Sequence, residues 1–319
     1  MIIAIPDDYH GLVPTLECFK RLAGHDVRVF RDAAPPLHTL TANLRDAEIV
    51  VPIRERTHFS RELIAALPRL RLISQTGRST HHVDLEACHE RGIVVSAGTH
   101  ASPYTVAEQT WALILAALRR IPEETALMKR GEWRRSFSTG LHGRTLGVFG
   151  LGKIGSLVAA TGASFGMRVL VWGREASQRD AVRAGFEVAR DQRALFREAD
   201  VLALMVRLTR ETRGIVTAED LAEMKPEALF VNTARAELVQ PGALERALER
   251  GRPGFAAVDV YENEPVLGGN HPLLRLPNAL CTTHSAWLEK NTYELYFGEA
   301  FDNAIAFAAG RPVKRVDFG

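Results

Sequence analysis

Short runs of apolar residues alternate with longer stretches of helical periodicity along the whole chain. Apolar runs of roughly four to eight residues are typical of buried strands, and their repeated alternation with helices favours a parallel sheet. Ligands of such sheets bind beyond the carboxyl ends of the strands. In residues 1–99 the predicted strands are Ile2–Ile5, Val27–Phe30, Ile49–Ile53, Leu70–Ser74 and Ile93–Ser96.

The alternation resumes after a long helical pattern that runs from Pro103 to about Lys129 and that Pro122 could interrupt. Another helical pattern, from Trp287 to Ala309, is expected to return to the first part of the chain. The predicted strands between these two patterns are Leu146–Phe149, 167–172, Val201–Val206, Ala228–Asn232, Phe255–Val260 and Ala279–Thr282.

A glycine-rich turn follows the first strand of this second part. Gly150, Gly152 and Gly155 form the sequence GLGKIG, which a helical pattern and a further strand follow. A strand, glycine turn, helix and strand within about 30 residues is the context that a dinucleotide-binding fingerprint requires. The first amides of the helix, at Lys153 and Ile154, would bind phosphate oxygens. The alternative is an ordinary turn between a strand and a helix.

These patterns together predict an α/β fold with two doubly wound, parallel-sheet domains. A Rossmann domain that binds NAD(P) is expected at residues 100–287. It would be inserted into a discontinuous, flavodoxin-like substrate-binding domain made of residues 1–99 and 288–319.

Composition and charge limit the remaining classes of protein. The net charge of the 319 residues is only +2, which argues against a nucleic-acid partner. No apolar run approaches the ~20 residues of a membrane span, and the N-terminal segment has no basic region of a signal peptide. Cys18, Cys88 and Cys281 are odd in number and far apart, which favours neither disulfides nor a metal site. We therefore expect a cytoplasmic protein without membrane, nucleic-acid or metal partners.

The second strand of the nucleotide domain lacks an expected acidic residue. In NAD-binding folds an Asp or Glu about 20 residues beyond the glycines binds the ribose hydroxyls. Here Gly173 stands in that place, and Arg174 follows it. Loss of the carboxylate removes repulsion against a 2′-phosphate, with which Arg174 could pair, so NADP is favoured over NAD. Alternatively, Arg174 lies over the adenine ring, or Glu175 binds the ribose.

Three polar segments follow successive predicted strands and are expected at one edge of the sheet. They are NTAR with Arg235, DVYENEP with Asp259 and Glu264, and TTHSAW with His284. A cation can hold a carboxylate and polarise a carbonyl, an imidazole can transfer a proton, and a carboxylate can fix the imidazole tautomer. Together they supply what reduction of a 2-oxo acid needs. Taken singly, each has a structural alternative, such as a surface ion pair or a structural histidine.

Two segments of residues 1–99 are candidates for substrate binding. Arg54 and Arg56 follow a strand in the sequence IRERT and could hold an acidic group. Solvated loop charges are the slightly favoured alternative. In SQTGRSTHHVD, Gly77 and its small polar neighbours could direct backbone amides at a carboxylate, although a plain turn is equally compatible.

The order of GLGKIG, NTAR, DVYENEP and THSAW resembles that of the D-isomer-specific 2-hydroxyacid dehydrogenase family over nearly the whole chain. That family includes D-glycerate, glyoxylate/hydroxypyruvate and 3-phosphoglycerate dehydrogenases. The resemblance implies a two-lobed enzyme with its active site in the cleft, a small 2-oxo or D-2-hydroxy acid as substrate, and a homodimer held largely by the nucleotide domain.

The resemblance also implies roles for matching residues. Arg235 would bind the substrate, Glu264 would pair with His284, and His284 would be the catalytic acid/base. The residues expected to bind the cofactor are Gly150, Gly152, Lys153, Ile154, Gly155, Arg174, Arg207, Thr233 and Asp259, the last of which would face the nicotinamide carboxamide.

Substrate binding is expected at the main chain around Arg78 and Ser79, with Gly77 and Arg54 beside it, but some positions depart from the family pattern. Thr283 stands where a proline usually precedes the catalytic histidine, and His82 replaces a more usual asparagine. Arg207 also replaces a proline, and it adds a cation near the expected adenosine site.

Two other functions are compatible with the same fold. One is a cofactor-sensing protein like the transcriptional corepressors that resemble this family; the complete Arg235, Glu264 and His284 set favours an enzyme instead. The other is oxidation of formate or phosphite. Glu264 disfavours formate, because formate enzymes that resemble this chain have an amide there.

Overall fold

The computed structural model describes residues 1–100, 102–134 and 136–316. The chain divides into two compact units. The first unit consists of Met1–Ser102 and Leu288–Gly319, and the second consists of Pro103–Trp287.

Twelve strands and eleven α-helices are formed by the described residues. The strands are β1 (Ile2–Ile5), β2 (Asp26–Val29), β3 (Ile49–Val50), β4 (Leu72–Gln75), β5 (Val94–Ala97), β6 (Thr145–Phe149), β7 (Arg168–Trp172), β8 (Glu187–Val188), β9 (Val201–Leu204), β10 (Leu229–Asn232), β11 (Phe255–Val258) and β12 (Ala279–Cys281). The helices are α1 (Leu37–Leu44), α2 (Arg61–Ala65), α3 (Leu85–Glu90), α4 (Tyr104–Arg119), α5 (Ile121–Lys129), α6 (Lys153–Ser164), α7 (Glu175–Arg183), α8 (Gln192–Glu198), α9 (Ala218–Glu223), α10 (Ala243–Glu249) and α11 (Lys290–Ala308). Short 3-10 helices cover Val13–Thr15, Glu17–Leu22, Ala236–Leu238 and Pro272–Arg275.

The first unit contains a five-stranded parallel sheet in the order β2-β1-β3-β4-β5. This is the flavodoxin-like strand order. Strand β2 is added on one side of β1, and the later strands are added on the other side, beginning with β3. The predicted strand at 49–53 is shorter in the structure. Val51 still donates to Ala4 at 2.9 Å, but Pro52 has no amide hydrogen with which to continue the ladder.

The second unit contains a seven-stranded parallel sheet in the order β12-β11-β10-β9-β6-β7-β8. Successive strand residues enter opposite cores: Phe149 and Phe230 lie in one, and Val148 and Val231 lie in the other. Apolar cores on both faces are what a doubly wound parallel sheet requires. Strand β8 was not predicted, because two half-exposed residues give no apolar run.

The long helical pattern after Pro103 forms two helices, so it is interrupted as the sequence allowed. Helix α4 ends at Arg119, and its C-cap Arg120 adopts the left-handed conformation with φ of 56°. Pro122 lies in the first turn of α5, where its missing amide hydrogen is tolerated. The interruption between the two helices is therefore at Arg120, two residues before Pro122, where it was predicted.

None of the helices in the described ranges is long and apolar enough to cross a membrane. The three cysteines are free thiols. Burial raises the pKa of both Cys18 and Cys88 to about 12, so these two thiols stay protonated and unreactive.

Candidate active site

The carboxyl edge of the seven-stranded sheet carries the site residues that were predicted in the second unit. Because all strand pairs are parallel, every segment that follows a strand leaves the sheet at the same edge. From one side to the other, His284 follows β12, Asp259 follows β11, Thr233 and Arg235 follow β10, Arg207 follows β9, the glycine turn follows β6, and Arg174 follows β7.

The glycine turn has the shape that a dinucleotide pyrophosphate needs. Gly150 has φ of 98°, and a Cβ there would lie 2.9 Å from a carbonyl oxygen in the loop after β9. A Cβ on Gly155 would overlap the carbonyl oxygen of Gly150. Gly152 is the N-cap of α6, no side chain caps that helix, and a Cβ at Gly152 would meet no described atom within 4 Å. The first-turn amides of α6 are thus left for an anion. Lys153 is exposed, and Ile154 packs against the core.

Ser177 lies beside Gly173, the residue that stands in place of the expected acidic residue. A Cβ on Gly173 would lie 3.1 Å from the Cβ of Ser177. The Ser177 hydroxyl accepts a hydrogen bond at 3.2 Å from the amide of Leu151 in the glycine turn. Sequence reasoning missed Ser177, because a lone serine in a polar helix carries no distinctive signal.

Two exposed arginines follow the strands on either side of β6. Arg174 is the N-cap of α7, and Arg207 lies in the loop after β9. Neither forms an ion pair with the described residues. Glu175 pairs instead with Arg179 at 2.6 Å. Two guanidiniums on the loops that flank the glycine turn provide positive charge for a phosphate group.

The NTAR turn is shaped by the side chain of Asn232. Its amide donates to the carbonyl of Arg235 at 2.9 Å, and its oxygen accepts from the amide of Ala234 at 3.0 Å. Arg235 is half-buried, and its guanidinium donates to the carbonyl of Ala234 at 2.7 Å. The buried hydroxyl of Thr233 bonds the hydroxyl of Thr110 on α4 at 2.7 Å. The side chain of Thr233 is therefore engaged within the unit.

Asp259 is completely buried and holds the segment that carries His284. One carboxylate oxygen accepts from the hydroxyl of Thr282 at 2.5 Å and from the amide of Ser285 at 3.0 Å. The other accepts from the amide of Ala286 at 2.9 Å. His284 has φ of 51°, in the left-handed region that non-glycine residues rarely adopt. The contacts of Asp259 hold this unfavourable turn in place.

Glu264 and His284 form the pair that the sequence predicted. Glu264 Oε2 lies 2.5 Å from His284 Nδ1, and both side chains are about one quarter exposed (28% and 25%). An ionised carboxylate only accepts, so Nδ1 carries the proton of a neutral imidazole. Nε2 is then the ring atom that remains for a ligand.

Gln109 is a further polar contact of this segment that sequence reasoning missed. From α4 its side-chain amide lies 3.3 Å from the hydroxyls of both Thr282 and Ser285. It is one polar position in a largely apolar helical pattern, and nothing in its spacing indicates a partner far along the chain.

In the first unit, Arg54 lies against the polar turn that follows β4. A Cβ on Gly77 would lie 2.9 Å from Arg54 Nη1, and the Arg54 guanidinium carbon is 5.3 Å from the centre of the Tyr296 ring. The Arg54 side chain is only 24% exposed, which does not fit a solvated loop charge. Arg56 donates to the carbonyl of Asp7 at 2.8 Å and is held within the unit.

The rest of the polar turn combines one exposed cation with two histidines. Arg78 is exposed, and the hydroxyl of Ser79 lies 2.6 Å from His81 Nδ1. His82 is 3% exposed, and burial lowers its pKa to about 4, so it is neutral near pH 7. Neither ring nitrogen of His82 has a hydrogen-bond partner among the described residues.

Comparison with known proteins identifies the family. The model of the D-isomer specific 2-hydroxyacid dehydrogenase NAD binding domain matches residues 111–286, which is more than half of the chain. The chain belongs to this family of NAD-dependent dehydrogenases. The predicted family and fold class are thereby confirmed.

Relatives that match the chain carry names of 2-hydroxyacid dehydrogenases. Glyoxylate reductase of Aeropyrum pernix is 36% identical over 298 residues, covering 90% of this chain and 88% of that protein. D-3-phosphoglycerate dehydrogenase of Methanocaldococcus jannaschii is 40% identical over 247 residues, or 77% of this chain, but the match spans only 47% of that longer protein. The crystal structure of phosphoglycerate oxidoreductase from Vibrio cholerae o395 is 48% identical, with a TM-score of 0.94 over 97% of this chain and 99% of that one.

Asp259→Asn is expected to destabilise the second unit. The substitution keeps the side-chain volume but directs an NH2 group at the donors of Thr282, Ser285 or Ala286, which leaves buried donors unpaired. We expect the free energy of unfolding to fall by about 1–3 kcal/mol, measured by urea denaturation. Asp302→Asn, at a surface carboxylate with 59% exposure, is the matched control and should change it by less than about 0.5 kcal/mol. Equal stability of the two variants would contradict the anchoring role of Asp259.

Proposed function

We propose that the protein reduces a small 2-oxo acid to the D-2-hydroxy acid, with His284 as the proton donor and NADPH favoured over NADH. The observation that carries this proposal is the Glu264–His284 pair, 2.5 Å apart at the sheet edge that also bears the glycine turn. Membership of the dehydrogenase family supports the reaction class.

A bound nicotinamide cofactor would supply the hydride that adds to the 2-oxo carbon. The residues of the chain manage charge and proton around that carbon. Arg235 holds the substrate carboxylate and polarises the carbonyl. Protonated His284 donates from Nε2 to the carbonyl oxygen, so that hydride and proton together convert C=O to CH–OH. Glu264 orients the ring through Nδ1 and stabilises the imidazolium from which the proton leaves.

The substrate is proposed to be a short 2-oxo acid such as glyoxylate or hydroxypyruvate. Glyoxylate is named for the relative from Aeropyrum pernix. The main chain at Gly77–Ser79 is proposed to bind the carboxylate, with Arg54 beside it. The left-handed φ of 87° at Gly77 and the nearby Arg54 guanidinium support this assignment.

NADP preference is proposed from the charges beside the glycine turn. Gly173 offers no carboxylate to the ribose, and Glu175 is engaged with Arg179. Arg174 and Arg207 are exposed cations on the loops at either side of β6. They would bind the 2′-phosphate that distinguishes NADP from NAD.

A homodimer and a cytoplasmic location are also proposed. Helix α5 and the described residues that follow it, up to Phe137, expose large apolar side chains that a second copy would cover. The most exposed are Ile121 at 52%, Met128 at 58%, Trp133 at 80% and Phe137 at 99%. Free thiols support a reducing compartment, which cell fractionation would test.

His284→Ala is the direct test of the proposed reaction. Removal of the proton donor should lower kcat by at least about 100-fold, whereas the dissociation constant for NADPH should change less than about threefold. Stopped-flow rates with glyoxylate and fluorescence titration with NADPH measure the two effects. His38→Ala, on the exposed surface of α1, should behave like the wild type. Unchanged kcat in His284→Ala would rule out the acid/base role.

Arg174→Ala tests the cofactor preference. Loss of a charge-assisted contact with the 2′-phosphate should weaken NADPH binding by about 10- to 100-fold and NADH binding by less than about threefold. Isothermal titration with both cofactors gives the comparison. Arg183→Ala removes an exposed arginine of α7 that pairs with Asp180, leaves the Glu175–Arg179 pair intact, and should affect neither cofactor. Equal losses for the two cofactors in Arg174→Ala would contradict phosphate recognition.

The double variant Trp133→Ser/Phe137→Ser tests the dimer. Sedimentation equilibrium should give about twice the 35.2 kDa chain mass for the wild type and a single chain mass for the variant, because the covered apolar area is lost. Leu267→Ser, at another exposed apolar residue, should leave the dimer intact. A monomeric wild type would contradict the proposal.

A further inference from the structure

Tyr261 contacts both segments that carry the acid/base pair. Its amide donates to Glu264 Oε1 at 2.9 Å, and its hydroxyl donates to the carbonyl of Thr282 at 2.7 Å. The other oxygen of Glu264 bonds His284, which lies two residues after Thr282. We propose that Tyr261 is a positioning residue that sets the geometry of the Glu264–His284 pair. This proposal rests on the proposed role of His284 as the acid/base.

The ring of Tyr261 is itself held in place from the other side. Tyr261 is 8% exposed, and the ring of His271 packs edge-on against it, with centroids 5.0 Å apart and planes at 67°. His271 accepts at Nδ1 from the amide of Leu273 at 3.3 Å, so Nε2 carries the proton and donates to Glu262 at 3.1 Å. Glu245 lies in the same group, and the contact with Glu262 fixes the orientation of the imidazole. The group acts as a brace for the Tyr261 ring.

The hydroxyl of Tyr261 remains a hydrogen-bond donor under all working conditions. Burial is the main cause that raises its pKa, and the neighbouring Cys281 thiol adds to the effect. The hydroxyl proton therefore stays available for the carbonyl of Thr282. Water has little access to replace this bond, because the phenol is buried.

Tyr261 and Asp259 hold complementary groups of the same segment. Asp259 accepts from one hydroxyl and two amides, at Thr282, Ser285 and Ala286. Tyr261 supplies a donor that holds the carbonyl of Thr282 in that segment. Without the hydroxyl, the Thr282 carbonyl loses its partner, and the left-handed turn at His284 can relax. The imidazole would then move relative to Glu264, whose position Tyr261 fixes through its amide.

Tyr261→Phe tests the proposal, since it removes only the hydroxyl and keeps the ring and the amide. We expect kcat for 2-oxo acid reduction to fall about tenfold, while the dissociation constant for NADPH stays within about twofold. The pH at which the reductive rate falls to half should move down by about half a unit, because Glu264 stabilises the imidazolium less when the imidazole has moved away from it. Cys281→Ala is the matched control. It removes the other side chain beside the hydroxyl but keeps the Tyr261–Thr282 bond, so its pH profile should equal that of the wild type.

His284→Ala, assayed in parallel, separates the two proposals. If His284→Ala abolishes turnover but Tyr261→Phe keeps the rate and pH profile of the wild type, Tyr261 is not a positioning residue and the acid/base role stands. A Tyr261→Phe variant that only melts at a lower temperature, with an unshifted pH profile, likewise overturns the positioning role. If His284→Ala keeps the rate and pH profile of the wild type, both proposals are overturned.

Discussion

A carboxylate removed from water is stable only when hydrogen-bond donors surround it, and at Asp259 those donors come from the segment that carries His284. These hydrogen bonds stabilise both the carboxylate and the segment that carries His284. The buried charge gains three strong hydrogen bonds, and a backbone with φ of 51° at His284 is held against its tendency to relax. Neighbouring parallel strands β11 and β12 bring the two segments side by side. The geometry of the candidate active site therefore depends on the sheet that carries these segments.

Glu264 and His284 are positioned by this frame and are not buried with it. Each is about one quarter exposed, whereas Asp259 and Tyr261 beneath them are buried. Such layering separates two demands on the site. The side chains of Glu264 and His284 stay accessible to a ligand. The residues that fix their positions are shielded from water, where their hydrogen bonds are strongest. The same edge of the sheet carries the glycine turn and the two arginines beside it, so the proposed cofactor-binding and proton-transfer groups lie on one sheet.

Much of this arrangement follows from local patterns in the sequence. Apolar runs indicated most strands of both sheets within two or three residues at each end, because buried parallel strands need continuous apolar residues. Polar segments after strands indicated Arg235, Glu264 and His284, since a parallel sheet collects its strand ends at one edge. The sequence did not indicate the contacts between residues that are far apart along the chain. Ser177 and Gln109 carry no local signal. The sequence assigned Asp259 to the cofactor and gave no sign of its contacts with the His284 segment.

Initial rates of NADPH and NADH oxidation with glyoxylate, hydroxypyruvate and several bulkier 2-oxo acids test the proposed function most directly. We predict turnover with at least one short 2-oxo acid and a kcat/KM for NADPH at least about tenfold above that for NADH. Turnover without a preference for NADPH would support the proposed reaction but contradict the role proposed for Arg174 and Arg207. Tight cofactor binding without turnover of any 2-oxo acid would contradict the central claim and favour a cofactor-sensing protein.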